Sequence, residues 1–213
     1  MKKVALIGSN SDVAKKLIQE TNFEFICLSS KTSDFDVMNT NTFPPIENLC
    51  GLVYFPGTIN LKPFSNFKLE DFQYDYQVNV IGLINVLQFY QKSFVENSAV
   101  VTISSIAANI GMPFHTSISM CKASVEALTR SLAAEWAPKI RLNCIAPSIT
   151  ATKLSERLIN SDLKRQTLAD RHPLKKIGET EDLSNLIAFL LSDKASWITG
   201  QTIGVDGGLS KLK

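Results

Sequence analysis

The sequence predicts an α/β fold in which a parallel sheet is wound on both faces by helices. Three observations carry this: short β-rich apolar runs recur along the chain, helical patterns separate them, and the runs end at turn-forming residues. A length of 213 residues suits one domain over 1–213 with a sizeable core. With 45% hydrophobic and 20% charged residues, disorder and collagen-like repeats are excluded.

The elements follow in order. Val4-Ala5-Leu6-Ile7 is the first strand, ended by Gly8, and Ser11 or Asp12 caps a helix running to about Thr21. Phe23 to Leu28 is the second strand. Only Ser29 to Phe35 separate it from Asp36-Val37, too few for a crossover helix, so this edge of the sheet is expected to be trimmed. Leu52 to Phe55 is a third apolar run, and Leu69 to Glu96 reads as one long helix interrupted at Gly82. Val100 to Ile103, a helix from Ser119 to Trp136 stopped by Pro138, and a strand from Ile140 to Ile145 come next. Ser148 to Gly178 is polar and helical in patches, a candidate lid over a site at the strand ends. Thr180 to Leu191 is a helix whose Glu181 and Asp182 favour its N-terminus. Thr202 to Val205 is the last strand, stopping at Asp206-Gly207-Gly208.

Charge and cysteine usage narrow the class. Lys plus Arg number 22 and Asp plus Glu 20, a net charge of +2 that gives no reason to expect nucleic acid or a membrane surface as partner. No apolar run reaches the ~18 residues of a membrane span, and the N-terminal apolar stretch falls short of the ~7–15 residues of a signal peptide. Cys27, Cys50, Cys121 and Cys144 lie far apart with no C-x-x-C pair. They read as unpaired, buried thiols in a reducing cytoplasm. Two histidines are too few for a multi-His metal centre, so no metal is expected.

The first strand runs into Gly8-Ser9-Asn10-Ser11-Asp12-Val13-Ala14 and then a helix. A strand–turn–helix of this kind presents free backbone N–H groups to a phosphate. The plain alternative is a turn capped by Asp12.

Further motifs bear on this loop. His172-Pro173-Leu174-Lys175-Lys176-Ile177-Gly178-Glu179-Thr180-Glu181-Asp182 leads to Ser192-Asp193-Lys194-Ala195, Thr199-Gly200-Gln201 and Val205-Asp206-Gly207-Gly208. Arg141-Leu142-Asn143 precedes Ala146-Pro147, Gln77-Val78-Asn79-Val80 precedes Gly82, and Ile103-Ser104-Ser105 closes a strand. Together these resemble the short-chain dehydrogenase/reductase family over about residues 2 to 210. The resemblance implies a single doubly wound Rossmann-like domain with strand order 3-2-1-4-5-6-7. It further implies a nicotinamide dinucleotide cofactor, a carbonyl or enoyl small-molecule substrate, and a homodimer or homotetramer paired through the long helices. Gly8, Asp12 and Ala14 stand where the family has G-x-x-x-G-x-G, so Gly8, Ser9, Asn10, Asp12 and Val13 become candidate cofactor contacts. The family's N-N-A-G turn reads Tyr54-Phe55-Pro56-Gly57, keeping only Gly57. Asp36 matches the family's acidic partner of the adenine amino group.

After the second strand an Asp or Glu would hold a ribose 2′-hydroxyl. Ser29, Ser30 and Lys31 stand there instead. Hydroxyls with an ammonium suit a 2′-phosphate, so NADP is expected ahead of NAD; the alternative is a solvated loop lysine.

By resemblance, Ser105 hydrogen-bonds the substrate oxygen, Lys122 holds the nicotinamide ribose and Asn79 positions a water relay. Pro147, Ile149 and Thr152 would surround the carboxamide. The family's catalytic tyrosine, four residues before the lysine, is Ile118 here. Loss of a general acid removes ~10²–10⁴ in rate. His115, seven residues before Lys122, matches the donor position of the enoyl-reductase branch and could give the proton; otherwise it is a surface histidine. The second functional reading is a cofactor-binding sensor or scaffold without catalysis. His172 reads as shaping a turn before Pro173.

Overall fold

Strands β1 (Lys3–Ile7), β3 (Leu49–Tyr54), β4 (Phe94–Ile103) and β5 (Ile140–Pro147) are largely buried, as befits apolar runs covered on both faces. The chain is seen in a computed structural model that describes residues 1–212. Lys213, the last residue of the expected domain, lies outside the described residues. With β2 (Glu24–Leu28) and β6 (Thr202–Val205) these strands form one parallel sheet of six in the order β2-β1-β3-β4-β5-β6.

That order corrects the seven-stranded expectation. The segment between β2 and β3 makes a 3-10 turn at Thr40–Thr42 and no strand, so β2 is the edge. Phe35, Phe43 and Ile46 from this segment are buried in the core instead, with Phe35 and Phe43 stacked at 4.5 Å.

Helices α1 (Asp12–Glu20) and α6 (Thr180–Leu191) cover one face, through Val13, Leu17, Leu183, Ile187 and Leu190. The other face packs α3 (Gly82–Tyr90) and α4 (Thr116–Trp136) through Leu83, Leu87, Tyr90, Val125 and Trp136.

The expected long helix from Leu69 to Glu96 is three pieces. α2 (Leu69–Tyr76) passes into a π turn at Gln77–Ile81 and then α3, and Glu96 already lies in β4. Gly82 has a packing reason: a Cβ there would sit 2.6 Å from the Tyr54 hydroxyl. That hydroxyl donates to the Val78 carbonyl at 2.8 Å, within the widened turn. α4 begins at Thr116, three residues earlier than expected, so Ile118 is helical.

The 148–178 segment holds a 3-10 turn at Glu156–Leu158 and α5 (Asp162–Asp170), and a Thr150–Gly178 bridge ties its two ends together. Cys121 and Cys144 are buried, but Cys27 is exposed and Cys50 half-buried, so the expectation of four buried thiols holds for two. The difference follows from position: Cys27 lies on the edge strand. Among the described residues no helix is long and apolar enough to cross a membrane, and no group of metal-binding side chains occurs.

Candidate active site

At the β1–α1 junction, Gly8 has φ +78°, and a Cβ there would meet Pro56 at 3.0 Å. Strain and crowding both require glycine. The N–H groups of Gly8 and Ser9 donate to the Leu28 carbonyl. Those of Asn10, Asp12 and Val13 find no acceptor among the described residues. They sit at the positive end of α1, an arrangement suited to phosphate oxygens.

Neither expected side-chain cap forms: Ser11 is the N-cap residue but makes no cap bond. Asp12 occupies the first helical position and its carboxylate accepts from the Lys153 N–H at 2.7 Å. It thereby joins the helix start to the 148–178 segment.

Beyond the junction, Ser29 is buried, and its hydroxyl is bonded by Asn10 Nδ2 and Thr32 Oγ1 at 2.7 Å each. It is turned into its own loop, not offered to a phosphate. Lys31 is exposed on the cleft rim and forms no ion pair among the described residues. Asp36 is exposed on the same wall, with one carboxylate oxygen held by the Met38 N–H at 2.9 Å.

Ser105 and Lys122 line the same cleft. Ser105 caps the start of the 3-10 turn Ile106–Ala108 after β4; its Oγ accepts from the Ala107 N–H at 3.2 Å, which leaves the hydroxyl proton to donate. Lys122 projects from α4 and is 8% exposed. Its ammonium donates to the Ile103 carbonyl at 3.0 Å and pairs with no carboxylate among the described residues. Burial lowers its pKa to about 8. An ammonium has three donors, so this one retains N–H groups for a ligand.

Gly57 is pressed against this lysine: a Cβ there would lie 3.2 Å from Lys122 Nζ and 3.0 Å from Asn79 Oδ1. Asn79, in the π turn, is buried; its Nδ2 donates to Thr58 Oγ1 and the Asp75 carbonyl, while its Oδ1 has no partner. A π turn widens the helix locally, a feature frequent at functional sites.

Ile118 is apolar and 5% exposed on the cleft wall. His115 is the N-cap residue of α4, half-exposed, with Nδ1 against the Pro113 carbonyl at 2.7 Å. His172 does more than shape a turn: it is 2% exposed and bridges the Leu168 carbonyl and Ser148 Oγ at 2.8 Å each. Thr152 shares a local turn with Ser155.

All these walls enclose one cleft of about 1370 Å³ at the carboxyl ends of the strands. It exceeds the ~300–1,000 Å³ common for small ligands, as a dinucleotide with a substrate requires. Every candidate residue lines it except Ser9, which is buried, and Asn79, which stands behind Gly57. Free N–H groups at α1 and the glycine cradle at Lys122 together fit a dinucleotide.

Sequence reasoning missed Thr58, half-buried on this wall, and Asp75 and Ser117, buried behind it and bonded to one another through the Asp75 carboxylate. The available signal was the four-residue spacing of Asp75 and Asn79, which puts both on one helix face.

A family model described as enoyl-(acyl carrier protein) reductase matches residues 9–210. A tropinone reductase homolog of Arabidopsis thaliana is 36% identical over 157 residues, 72% of this chain and 59% of that protein. A 3-oxoacyl-[acyl-carrier-protein] reductase of Thermotoga maritima is 37% identical over 145 residues, 67% of this chain and 58% of that protein. The matched stretch thus spans about three fifths of each relative's length. Among solved structures, a small-chain dehydrogenase in complex with NADPH superposes with TM-score 0.89 at 21% identity, covering 98% of both chains.

Proposed function

The chain belongs to the short-chain dehydrogenase/reductase family, and from that premise we propose that it is an NAD(P)-dependent oxidoreductase acting on a carbonyl or enoyl group with a proton donor other than a phenol. The observation that carries this reading is the buried Lys122 ammonium, without a carboxylate partner, on the wall of a dinucleotide-sized cleft. Keeping a charge there costs stability, and a ligand rich in hydroxyl acceptors is what offsets it.

When bound, the dinucleotide supplies or accepts a hydride. The chain's own groups do the rest. The free N–H groups of Asn10, Asp12 and Val13 hold the pyrophosphate. Lys122 holds the nicotinamide ribose, and Pro147, Ile149 and Thr152 border the carboxamide. Lys31 on the rim takes a 2′-phosphate, which favours NADP over NAD. Asp36 remains the acceptor for the adenine amino group. Ser105 donates a hydrogen bond from its hydroxyl to the substrate oxygen and polarises it. His115 is the ionisable side chain on the wall with a ring nitrogen, Nε2, left free. Residues 148–178 act as the lid, held to α1 by Asp12.

Both relatives carry the names of reductases, which supports the class. The free thiols suit the reducing cytoplasm, and the broad apolar faces of α3 and α4 suit a homodimer or homotetramer. A second reading, a dinucleotide-binding sensor or scaffold, is favoured by one observation: Ile118 brings no proton to the cleft. Adding NADPH, following its fluorescence, and then supplying ketones and enoyl thioesters separates the two. Saturable binding with oxidation of NADPH is the expected result. Binding without turnover favours the sensor, and absence of binding refutes both.

A further inference from the structure

Behind the cleft wall lies a polar cluster for which the reading above has no use. Asp75, in the last turn of α2, is 1% exposed and belongs to no ion pair among the described residues. One carboxylate oxygen accepts from Thr58 Oγ1 and the other from Ser117 Oγ, both at 2.6 Å. Thr58 Oγ1 accepts in turn from Asn79 Nδ2 at 2.9 Å. An amide can only donate from its nitrogen, so this bond directs the Thr58 proton at Asp75. Of these four side chains Thr58 alone lines the cleft, on the wall shared by Gly57, Ile118 and Lys122. Ser117 immediately precedes Ile118.

A carboxylate without a cation in this position is costly, and well-packed apolar residues between α2 and α4 would be cheaper. Its charge is felt nearby: the Cys121 thiol on α4 is pushed up to about 11, mainly by burial and then by Asp75. Thr58, Ser117 and Asn79 face Asp75 without ionising, so Cys121 is the titratable neighbour on α4, with Lys122 beyond Asn79.

We propose that Thr58 and Asp75 are the proton relay of this site, standing in for the phenol that Ile118 lacks. The inference rests on the oxidoreductase reading. In the oxidation direction the substrate O–H bond breaks and its proton bonds to Thr58 Oγ1. The proton formerly on Thr58 passes to the facing Asp75 oxygen. A C=O bond forms as the carbinol hydrogen leaves with its electron pair, for which the nicotinamide dinucleotide is the acceptor. Reduction runs in reverse from the Asp75 carboxylic acid and leaves the carboxylate. Thr58 touches substrate and is the catalytic residue; Asp75 acts through it and is a positioning and proton-storing residue.

The test uses Thr58→Val, Thr58→Ser, Asp75→Asn and His115→Phe. NADPH fluorescence reports binding; kcat and KM for ketone reduction are followed across pH. All four variants should bind NADPH within about threefold of wild type, a readout independent of turnover. Thr58→Val and Asp75→Asn should lose ~10²–10⁴ in kcat with little change in KM. Thr58→Ser, which restores the hydroxyl, should stay within about tenfold of wild type. Asp75→Asn should also lose one ionisation from the pH profile, which a purely structural role would leave in place. Wild-type kcat in Thr58→Val, or loss confined to His115→Phe, overturns the relay while sparing the oxidoreductase reading. Failure of wild type to bind NADPH, or binding with no turnover of ketones or enoyl thioesters, overturns that reading and the relay with it, and turnover of enoyl thioesters alone overturns only the relay.

Discussion

Asp75, on α2, and Glu126, on α4 with Lys122, are two buried carboxylates that differ in what they face. Both are nearly inaccessible, at 1% and 4% exposure, and neither pairs with a cation among the described residues. Glu126 accepts from Asn109 Nδ2 on both oxygens at 3.0 Å and from Ser104 Oγ at 2.7 Å. The Asn109 amide, which cannot give up its proton, holds both oxygens, and the Ser104 hydroxyl, 2% exposed at the cleft, also meets the Lys122 carbonyl at 3.2 Å, so this arrangement is a clamp that holds the loop after β4, and with it Ser105. Asp75 faces two hydroxyls, which both donate and accept, and one of them reaches the cleft. Burial of charge alone therefore does not mark a functional group; the mobility of the protons around it does.

The largest expected effect separates the pair by readout. Asp75→Asn should lose ~10²–10⁴ in kcat with little loss of stability. Glu126→Gln should keep kcat within about tenfold but leave donors facing one another, at about 1–3 kcal/mol, each kcal/mol lowering Tm by about 2–4 °C. Thermal unfolding and steady-state kinetics on both proteins check this, and matching profiles would erase the distinction. Next in size, Ile118→Tyr places a phenol four residues before Lys122. In the Asp75→Asn background it should raise ketone turnover at least ~10-fold, since it supplies a general acid. In Glu126→Gln it should leave the lowered Tm unrepaired.

Lys122 sharpens the contrast, because it lies four residues before Glu126 yet pairs with neither carboxylate. Its folded pKa of about 8 lies below the 10.5 of the free side chain. Between those values the unfolded chain holds the proton and the folded one has released it, so stability rises with pH across that window. The cost of burial is fully present below pH 8 and amounts to about 3 kcal/mol. Denaturant unfolding from pH 7.5 to 10 should show the rise in wild type, and the difference from Lys122→Met should carry it.

How much of this was legible in the sequence depends on whether a pattern is local. Val4–Ile7 and Ile140–Ile145 declare central strands because burial on both faces removes polar alternation, and Ile118 is visible by spacing alone. The long helix was misjudged because a π turn has no signature in 3.6-residue periodicity; Tyr54, from another strand, fixes it. The absent edge strand was foreshadowed by the short Ser29–Phe35 link, yet the full family order was still assumed. Asp75 is hard to read because its hydroxyl partners lie 17 and 42 residues away, and its one short-range mark is the four-residue spacing from Asn79.

The smallest expected effect concerns the other end of the cleft. Asp12 sets a carboxylate beside the free N–H groups of α1, and Asp12→Asn removes its repulsion of a pyrophosphate. NADPH affinity should rise by about two- to fivefold, the ~0.3–1 kcal/mol of a charge at a helix terminus. Weaker binding would mean that the bond to Lys153 matters more than the charge.

The central claim is that the buried ammonium is kept to hold a dinucleotide. Titrating NADPH fluorescence with wild type and Lys122→Met at pH 7 tests it most directly. The account predicts saturable binding to wild type and at least ~10-fold weaker binding to the variant, itself folded and no less stable. Equal affinity of the two proteins, or no binding to either, would contradict it.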